Sequence, residues 1–251
     1  MSHFKYDDIV KPINSYVDLA AIYYEVKNMN INDVLSALCH YDIVAWNLNT
    51  TWIYIVEDPE TRAHNYLRAS TLALPDRALY DVKTALEFKL KVKILREDEL
   101  RAILRGIMIH EIYKHFLRAI PNVRVEEPVK DEELKVAGRV DILCPDFLIE
   151  IKTSRRMLKA HVYQTGLYML MAKRDKAYVV YPRHVLKLNM TSHLKKGVVR
   201  RLTIIRNLYR QVQELTLEEI LHEFDSHLFE QKFKMKPEDL IKLLNQGGFI
   251  K

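Results

Sequence analysis

Residues 138–152, GRVDILCPDFLIEIK, carry the strongest indication of the fold in this 251-residue chain. The apolar runs on either side of a Pro-Asp pair predict two strands joined by a tight turn. Residues two apart on a strand face the same side, so Glu150 and Lys152 point together while the neighbouring isoleucines point into the core. The turn folds the first strand back, which can bring Asp141 beside Glu150.

Asp141 and Glu150 are the first candidates for a metal site. Two neighbouring carboxylates bind a hard divalent cation such as Mg²⁺ or Mn²⁺. A lysine beside that cation, here Lys152, can orient or help to deprotonate an attacking water and can neutralise charge on a phosphate. The alternative is an ordinary sheet with a surface aspartate and a cross-strand Glu–Lys pair, because the spacing alone is not specific.

Two predicted helices on either side of the hairpin add further candidates. The segment GIMIHEIYKHF places His110 mid-helix, with a glycine one turn earlier on the same face. A histidine can be an additional metal ligand, although a packed or solvated helix histidine is the more frequent case. In HVYQTGLYMLM, Gln164 and Tyr168 share one helix face and can hydrogen-bond a phosphate, a base edge or the lysine. Three basic residues suit a phosphate track: Arg155, Arg156 and Lys159.

The charge of the chain is concentrated in one stretch. The 39 Lys and Arg and the 33 Asp and Glu leave a net charge of +6, yet residues 152–210 hold 15 basic side chains and one acid, Asp175. Such a block is typical of a surface that binds a polyanion, and nucleic acid is the expected partner. The alternative is a solvated basic face that acidic neighbours balance in the fold.

Composition excludes several classes of protein. A hydrophobic fraction of 49% is enough to build a core. No run approaches the ~18 apolar residues of a membrane span, and the acidic, proline-containing start of the chain does not match a signal peptide. Cys39 and Cys144 are too few for a disulfide framework or a four-thiolate metal site. We therefore expect a cytoplasmic protein.

The order of predicted elements indicates an α/β protein of the α+β kind, a mixed sheet flanked by helices. Residues 81–251 are expected to form the main domain, beginning with a helix over 81–94, and residues 59–77 are predicted to be a linker. Residues 1–80 are expected to form a smaller lobe of two helices and a hairpin. This lobe is either a winged helix-turn-helix or a small α+β lobe without a DNA role, and its net acidic charge favours the second.

Four motifs in order carry a resemblance to a known family. The succession G-x-x-x-H, G-R-V-D, E-I-K and Q-x-x-x-Y, within about residues 81–182, resembles the PD-(D/E)XK nuclease superfamily. It is most similar to the RecB-like branch, which includes the CRISPR-associated exonucleases related to RecB. The resemblance implies a restriction-endonuclease-like core, with the motifs on helix, strand, strand and helix.

The resemblance also implies roles for individual residues. Lys152 would position the water, while Gln164 and Tyr168 would hold the lysine region and the DNA backbone. Four groups would bind the metal: His110, Asp141, Glu150 and the main-chain carbonyl of Ile151.

The sequence departs from the family pattern at two points. Val140 stands where the family usually has proline, a common substitution in the RecB-like branch. The CRISPR-associated members use four cysteines for an iron–sulfur cluster, whereas this chain has two, so no such cluster is expected.

The expected function is therefore that of a metal-dependent DNA nuclease with Mg²⁺ or Mn²⁺, acting from strand ends or internally. One alternative is a non-catalytic DNA-binding module, and another is a winged-helix regulator with a nuclease-like domain. Neither alternative needs catalytic residues. DNA, single- or double-stranded, is the expected partner, a membrane is not, and a protein partner or a homo-oligomer is left open.

Overall fold

The computed structural model describes residues 19–48, 51–55, 66–118, 120–154 and 156–248. Its α-helices are α1 Leu19–Asn28, α2 Ile31–Cys39, α3 Val82–Leu90, α4 Glu97–Leu117, α5 Lys159–Met171, α6 Ser192–Glu214, α7 Leu217–Glu223, α8 His227–Phe233 and α9 Pro237–Gln246. Its strands are β1 Ala45–Leu48, β2 Thr51–Ile55, β3 Leu67–Arg68, β4 Val92–Leu95, β5 Arg124–Asp131, β6 Val136–Leu143, β7 Leu148–Ile151, β8 Lys176–Val180 and β9 Val185–Asn189. Two short 3₁₀ segments, Ala69–Ala73 and Asp76–Tyr80, lie before α3.

The predicted α/β class with a mixed sheet and flanking helices is confirmed. The larger sheet has six strands in the order β3-β6-β7-β8-β9, with β5 also paired to β6. Its β3–β6 and β7–β8 pairs are parallel and the others are antiparallel. A second sheet, β1-β2-β4, is antiparallel throughout.

The pairing of β6 creates an opening in the larger sheet. One edge of β6 pairs with β5 from Val136 to Leu143. Two strands share its other edge, because β3 pairs with residues 136 and 137 and β7 pairs with residues 142 and 143. Among the described strands, none pairs with the stretch 138–141 on that edge, and this stretch begins with Gly138 and ends with Asp141.

The chain divides into two compact units whose boundaries differ from the predicted break at residue 80. As far as they are described, Met1–Asn28, Asp58–Ala73 and Arg105–Thr203 form the first unit, which contains the larger sheet. Met29–Glu57, Leu74–Leu104 and Ile204–Lys251 form the second, which contains the smaller sheet.

Long-range strand pairing explains this difference. β4 joins the hairpin β1–β2, so residues 92–95 belong with the N-terminal hairpin rather than with a separate main domain. Part of the predicted linker 59–77 is structured, since Leu67–Arg68 pairs with β6 as β3. The two helices of the predicted N-terminal lobe, α1 and α2, belong to different units.

The predicted helix over residues 81–94 is correct only as far as Leu90, because the strand β4 begins at Val92. Asp81 caps α3 by accepting a hydrogen bond from the Lys83 backbone N–H at 2.8 Å. The helix ends at Lys91, whose φ of 56° is left-handed. The alternation of β4 then buries Val92 and Ile94, and the hydrophobic pairing with β2 outweighs local helix propensity.

Each unit has its own core. In the first unit, buried side chains from β6, β7, β8 and α5 pack together: Val136, Val140, Ile142, Leu148, Ile149, Leu167 and Val179. In the second unit the core comes from α2, β2, α3, α8 and α9: Val34, Leu38, Ile53, Leu86, Phe229, Leu240 and Leu244. Within the described ranges, no helix is both long enough and apolar enough to cross a membrane.

Candidate metal centre

The site begins where β6 and β7 separate. Their last pairs are Ile142 with Ile149 and Leu143 with Leu148, so Asp141 and Glu150 occupy the next position along the two strands. There the backbone N–H of Ile151 donates to Asp141 Oδ2 at 2.6 Å, in place of a strand-to-strand hydrogen bond. The structure therefore brings Asp141 and the Glu150 strand together, as the predicted hairpin requires.

A cluster of three side chains surrounds the end of Asp141. His110, from the middle of α4, places Nδ1 3.6 Å from Asp141 Oδ1 and 3.2 Å from Glu126 Oε1. One ligand atom from each of these three residues lies within 4.8 Å of the others. All three are partly exposed, so the cluster is open to solvent on one side. His110 and Asp141 were expected here and Glu126 was not.

Glu126 has an unusual backbone conformation. Its φ is +54°, which L-residues rarely adopt. It lies on β5 opposite Asp141, between the pairs Val125–Ile142 and Glu127–Val140. Glu126 and Asp141 do not themselves form a strand pair. Its second oxygen, Oε2, forms an ion pair with Arg139 Nε at 3.1 Å. The only sequence signal was a glutamate two residues before Pro128 in a predicted strand, which does not reveal the left-handed conformation.

Glu150 is a buried carboxylate that pairs with Lys152. Only 1% of the residue is exposed, and its Oε2 accepts from Lys152 Nζ at 2.8 Å. Lys152 Nζ also donates to Gln164 Oε1 at 2.9 Å, and the Gln164 side-chain nitrogen lies 3.4 Å from the Tyr168 hydroxyl. Within the described part of the chain, Glu150 Oε1 is buried and has no hydrogen-bond partner.

The charges in the site shift its pKa values strongly. Burial raises the pKa of Glu150, and the Asp141 carboxylate adds to this against the opposing effect of Lys152, to a value of about 7. Burial alone would lower the pKa of His110, but Asp141, Glu126 and Glu150 raise it to about 9. Burial likewise opposes the ammonium form of Lys152, but Glu150 and Asp141 outweigh it and raise its pKa.

Tyr168 closes the opening beside β6. A Cβ at Gly138 would lie 2.7 Å from Tyr168 Cε1 and 2.8 Å from Ala69 Cβ, so only glycine fits under the tyrosine ring. The hydroxyl of Tyr168 hydrogen-bonds the backbone N–H of Arg139. Burial, reinforced by Glu150, raises the pKa of Tyr168, which therefore stays a neutral hydroxyl. The glycine of the G-R-V-D motif thus has a packing role.

A group of aromatic rings, which sequence reasoning missed, borders the site on the lysine side. His161 Nδ1 lies 3.1 Å from the Tyr181 hydroxyl, and the Tyr181 ring stacks on His184 with centroids 4.6 Å apart. Burial and the nearby charge of Lys152 lower the pKa of His161 to about 4, so this imidazole is neutral near pH 7. No sequence pattern singled out His161 of α5, because its partner Tyr181 follows β8 and lies 20 residues further along the chain.

The predicted phosphate-track residues are partly described. Arg156 and Lys159 are both exposed. The Lys159 ammonium lies 5.6 Å from the centroid of the Tyr163 ring. Arg155 lies outside the described residues.

The donor set fits a hard divalent cation. Carboxylate oxygens from Glu126, Asp141 and Glu150 with one imidazole from His110 are ligands that suit Mg²⁺ or Mn²⁺, and the set contains no thiolate. The buried, unpartnered oxygen of Glu150 supports this fit, since a buried carboxylate oxygen without a partner is costly.

No protein-family model matches the sequence. Among solved structures, the crystal structure of SSO0001 is similar, with 18% sequence identity, a TM-score of 0.46, and coverage of 72% of this chain and 87% of that chain.

Proposed function

We propose that this protein is a metal-dependent deoxyribonuclease of the PD-(D/E)XK type. The observation that carries the proposal is the buried Glu150 carboxylate, one oxygen of which is bound by Lys152 while the other has no partner among the described residues. A purely structural Glu–Lys pair would satisfy both oxygens or leave them in water. The first unit of the chain would then be a restriction-endonuclease-like core.

Five groups would hold the cation or lie beside it. The side chains of His110, Glu126 and Asp141 lie together at the open end of the β6–β7 pair, where the Ile151 N–H donates to Asp141. Glu150 stands opposite Asp141 on β7. When bound, the cation lowers the pKa of a water and stabilises negative charge on a phosphodiester.

Lys152 has a different role from the carboxylates. Its raised pKa keeps it an ammonium, so it donates hydrogen bonds and screens the phosphate rather than accepting a proton. Glu150 and Gln164 hold its Nζ from two directions, which restricts where its remaining proton can point. Tyr168 supports Gln164 from the next turn of α5. These contacts preorganise the donor before substrate arrives.

The basic block explains why nucleic acid is the proposed substrate. From Lys152 to Arg210 the chain carries 15 basic residues and one acid, and this stretch begins at the site itself. A site for a small phosphate ester would not need so extensive a positive charge. DNA is the proposed polymer, as the resemblance to the RecB-like branch implies.

The experiment uses end-labelled linear single-stranded and duplex DNA together with a closed single-stranded circle. The protein is incubated with Mg²⁺, Mn²⁺ or EDTA, beside Asp141→Asn and Lys152→Ala. Glu133→Gln is the matched control, because Glu133 is an exposed carboxylate of the same unit. We expect metal-dependent cleavage by the wild type and the control and a loss of at least about 100-fold in the other two variants.

Two outcomes contradict the proposal. The first is no cleavage of any DNA with either metal, and DNA binding without cleavage would then favour a non-catalytic DNA-binding module. The second is cleavage that survives both Asp141→Asn and Lys152→Ala, because the activity would then come from other residues. Cleavage of the circle would identify an endonuclease.

A further inference from the structure

Helices α5 and α6 pack closely enough to form one continuous surface. A Cβ at Gly166 of α5 would lie 2.7 Å from Val198 Cγ2, and a Cβ at Gly197 of α6 would lie 3.1 Å from Tyr163 Cε1. Two glycines therefore allow the close approach, one from each helix. A helix-interior glycine costs about 1 kcal/mol relative to alanine, so the packing compensates for an unfavourable choice.

This pair of helices contains almost no negative charge. No acidic residue occurs in α5, and α6 has none before Glu214 at its last position. Lys196 and Arg200 are exposed and stand four residues apart on α6. Like charges at that spacing repel each other and destabilise a helix. Within the described residues, no carboxylate forms an ion pair with either of them.

The Tyr163 ring lies between Lys159 of α5 and Gly197 of α6. Lys159 of α5 places its ammonium 5.6 Å from the ring centroid, while the edge of the ring meets α6 at Gly197. Gly197 follows Lys196 directly and precedes Arg200 by three residues, so both cations lie on the same side of Gly197 around α6, next to the face that meets the ring. Arg156, exposed just before α5, extends the same surface.

The α5–α6 basic surface, defined as Arg156, Lys159, Lys196 and Arg200, shares helix α5 with the candidate metal centre. Tyr163 is adjacent in the chain to Gln164, whose Oε1 accepts from Lys152 Nζ at 2.9 Å. One turn of α5 thus places one residue in the site and its neighbour against α6. The site and the surface are therefore linked through one helix, α5.

We propose that the α5–α6 basic surface binds the phosphate backbone of the DNA strand that reaches the metal centre. This inference rests on the proposed function and adds residues of α6 that lie more than 40 positions beyond Lys152 in the chain. Charge complementarity selects the occupant: four cations without acidic neighbours on either helix match a row of phosphates. Such contacts are independent of base sequence.

The test measures DNA binding in EDTA, so that it is separate from cleavage. Fluorescence anisotropy with a labelled 30-nucleotide strand and the corresponding duplex gives Kd over a range of KCl concentrations. The variant carries Arg156→Gln, Lys159→Gln, Lys196→Gln and Arg200→Gln. The control has the same loss of charge at exposed lysines elsewhere, Lys27→Gln, Lys176→Gln, Lys236→Gln and Lys242→Gln.

Removing four phosphate contacts is expected to reduce the slope of log K against log[KCl] by roughly 3, whereas the control keeps the wild-type slope. Equal losses in the two variants, or no loss in the first, would overturn the proposed surface. So would binding of anionic lipid vesicles, rather than DNA, that depends on the four cations. A protein that binds DNA through this surface but does not cut it would contradict the nuclease alone. Cleavage with binding insensitive to these cations would contradict the surface alone.

Discussion

The imidazole of His110 lies 3.2 Å from the carboxylate of Glu126, a residue held in a left-handed backbone conformation. Non-glycine residues in this region store roughly 1–3 kcal/mol of strain and cluster at functional sites. Here the strain directs a carboxylate toward the nitrogen that also faces Asp141. The cost in stability is thus linked to the assembly of a donor set for a cation.

We predict that Glu126→Ala and Glu126→Gly weaken Mn²⁺ binding alike, by about 10- to 100-fold, because each removes the carboxylate beside His110. The two variants should differ in stability. Glycine adopts a positive φ freely and alanine does not, so Glu126→Gly should be about 1 kcal/mol more stable than Glu126→Ala.

Isothermal titration calorimetry measures the affinity and urea unfolding measures the stability. Glu133→Ala serves as the control, because it removes an exposed glutamate from the same unit. Wild-type Mn²⁺ affinity in both Glu126 variants would show that Glu126 neither holds the cation nor orients His110.

We predict that metal binding releases protons and strengthens as the pH rises. In the metal-free site the pKa of Glu150 is raised to about 7 and that of His110 to about 9. A cation must displace the protons that these groups hold. Below about pH 7 both protons are displaced, and between about pH 7 and pH 9 mainly the proton of His110.

Calorimetry in two buffers of different ionisation enthalpy counts the protons released per Mn²⁺. We expect about two protons per Mn²⁺ at pH 6 and about one at pH 8. The His110→Gln variant should lose the proton release at pH 8. Mn²⁺ affinity that is constant between these pH values would contradict the assignment of both residues to the site.

Local patterns in the sequence were sufficient to predict much of the first unit. The alternation in β6 and β7 and the Pro-Asp turn between them predict the hairpin, and its register places Asp141 and Glu150 side by side. Helical spacing likewise predicts that Gln164 and Tyr168 share a face, and both contribute to the network around Lys152. These features depend on residues that are close in the chain.

Features that depend on distant residues were missed. Glu126 lies in the cluster on β5, opposite Asp141 and in a left-handed backbone conformation, and no local sequence pattern predicts that conformation. The break between α3 and β4 depends on a left-handed lysine, Lys91, and on pairing with a strand about 40 residues earlier. The same pairing moves the boundary between the two units away from residue 80.

We predict that Gly138→Ala destabilises the protein by about 1–3 kcal/mol, because the added methyl overlaps the Tyr168 ring and Ala69. The matched control is Gly106→Ala in α4, where a Cβ would meet nothing within 4 Å. Replacing a helix-interior glycine by alanine in open space should stabilise the protein by up to about 1 kcal/mol.

Thermal unfolding of the two variants distinguishes these effects, which are opposite in sign. A double variant, Gly138→Ala with Tyr168→Leu, should lose less stability than the two single changes added together, because the overlap is relieved. Strict additivity in that cycle would show that the glycine and the tyrosine do not interact.

We predict that the buried carboxylate of Glu87 stabilises the second unit in a pH-dependent way. Its side chain is 4% exposed and is bound by Lys83 Nζ at 2.6 Å, Lys93 Nζ at 3.1 Å and the Ile94 N–H at 2.9 Å. Burial acts to raise the pKa of Glu87, but Lys93 and Lys83 outweigh it and lower the pKa. Glu87 lies in α3, whereas two of its donors, Lys93 and Ile94, lie in β4. The contact therefore stabilises the junction between the helix and the strand.

Glu87→Gln should therefore cost about 3 kcal/mol near neutral pH, because it leaves two part-buried ammonium groups without their counter-ion. A group whose pKa is lowered in the folded state stabilises above its ordinary pKa, and this contribution is lost as the pH falls through the folded-state pKa. The penalty of the substitution, measured by urea unfolding, should shrink as the pH is lowered below about 4.

The control is Glu97→Gln, which removes a half-exposed partner of Arg101 and should cost less than about 0.5 kcal/mol at any pH. If Glu87→Gln lowers the free energy of unfolding as little as Glu97→Gln does, or by an amount that does not change with pH, the three donors contribute little to folding.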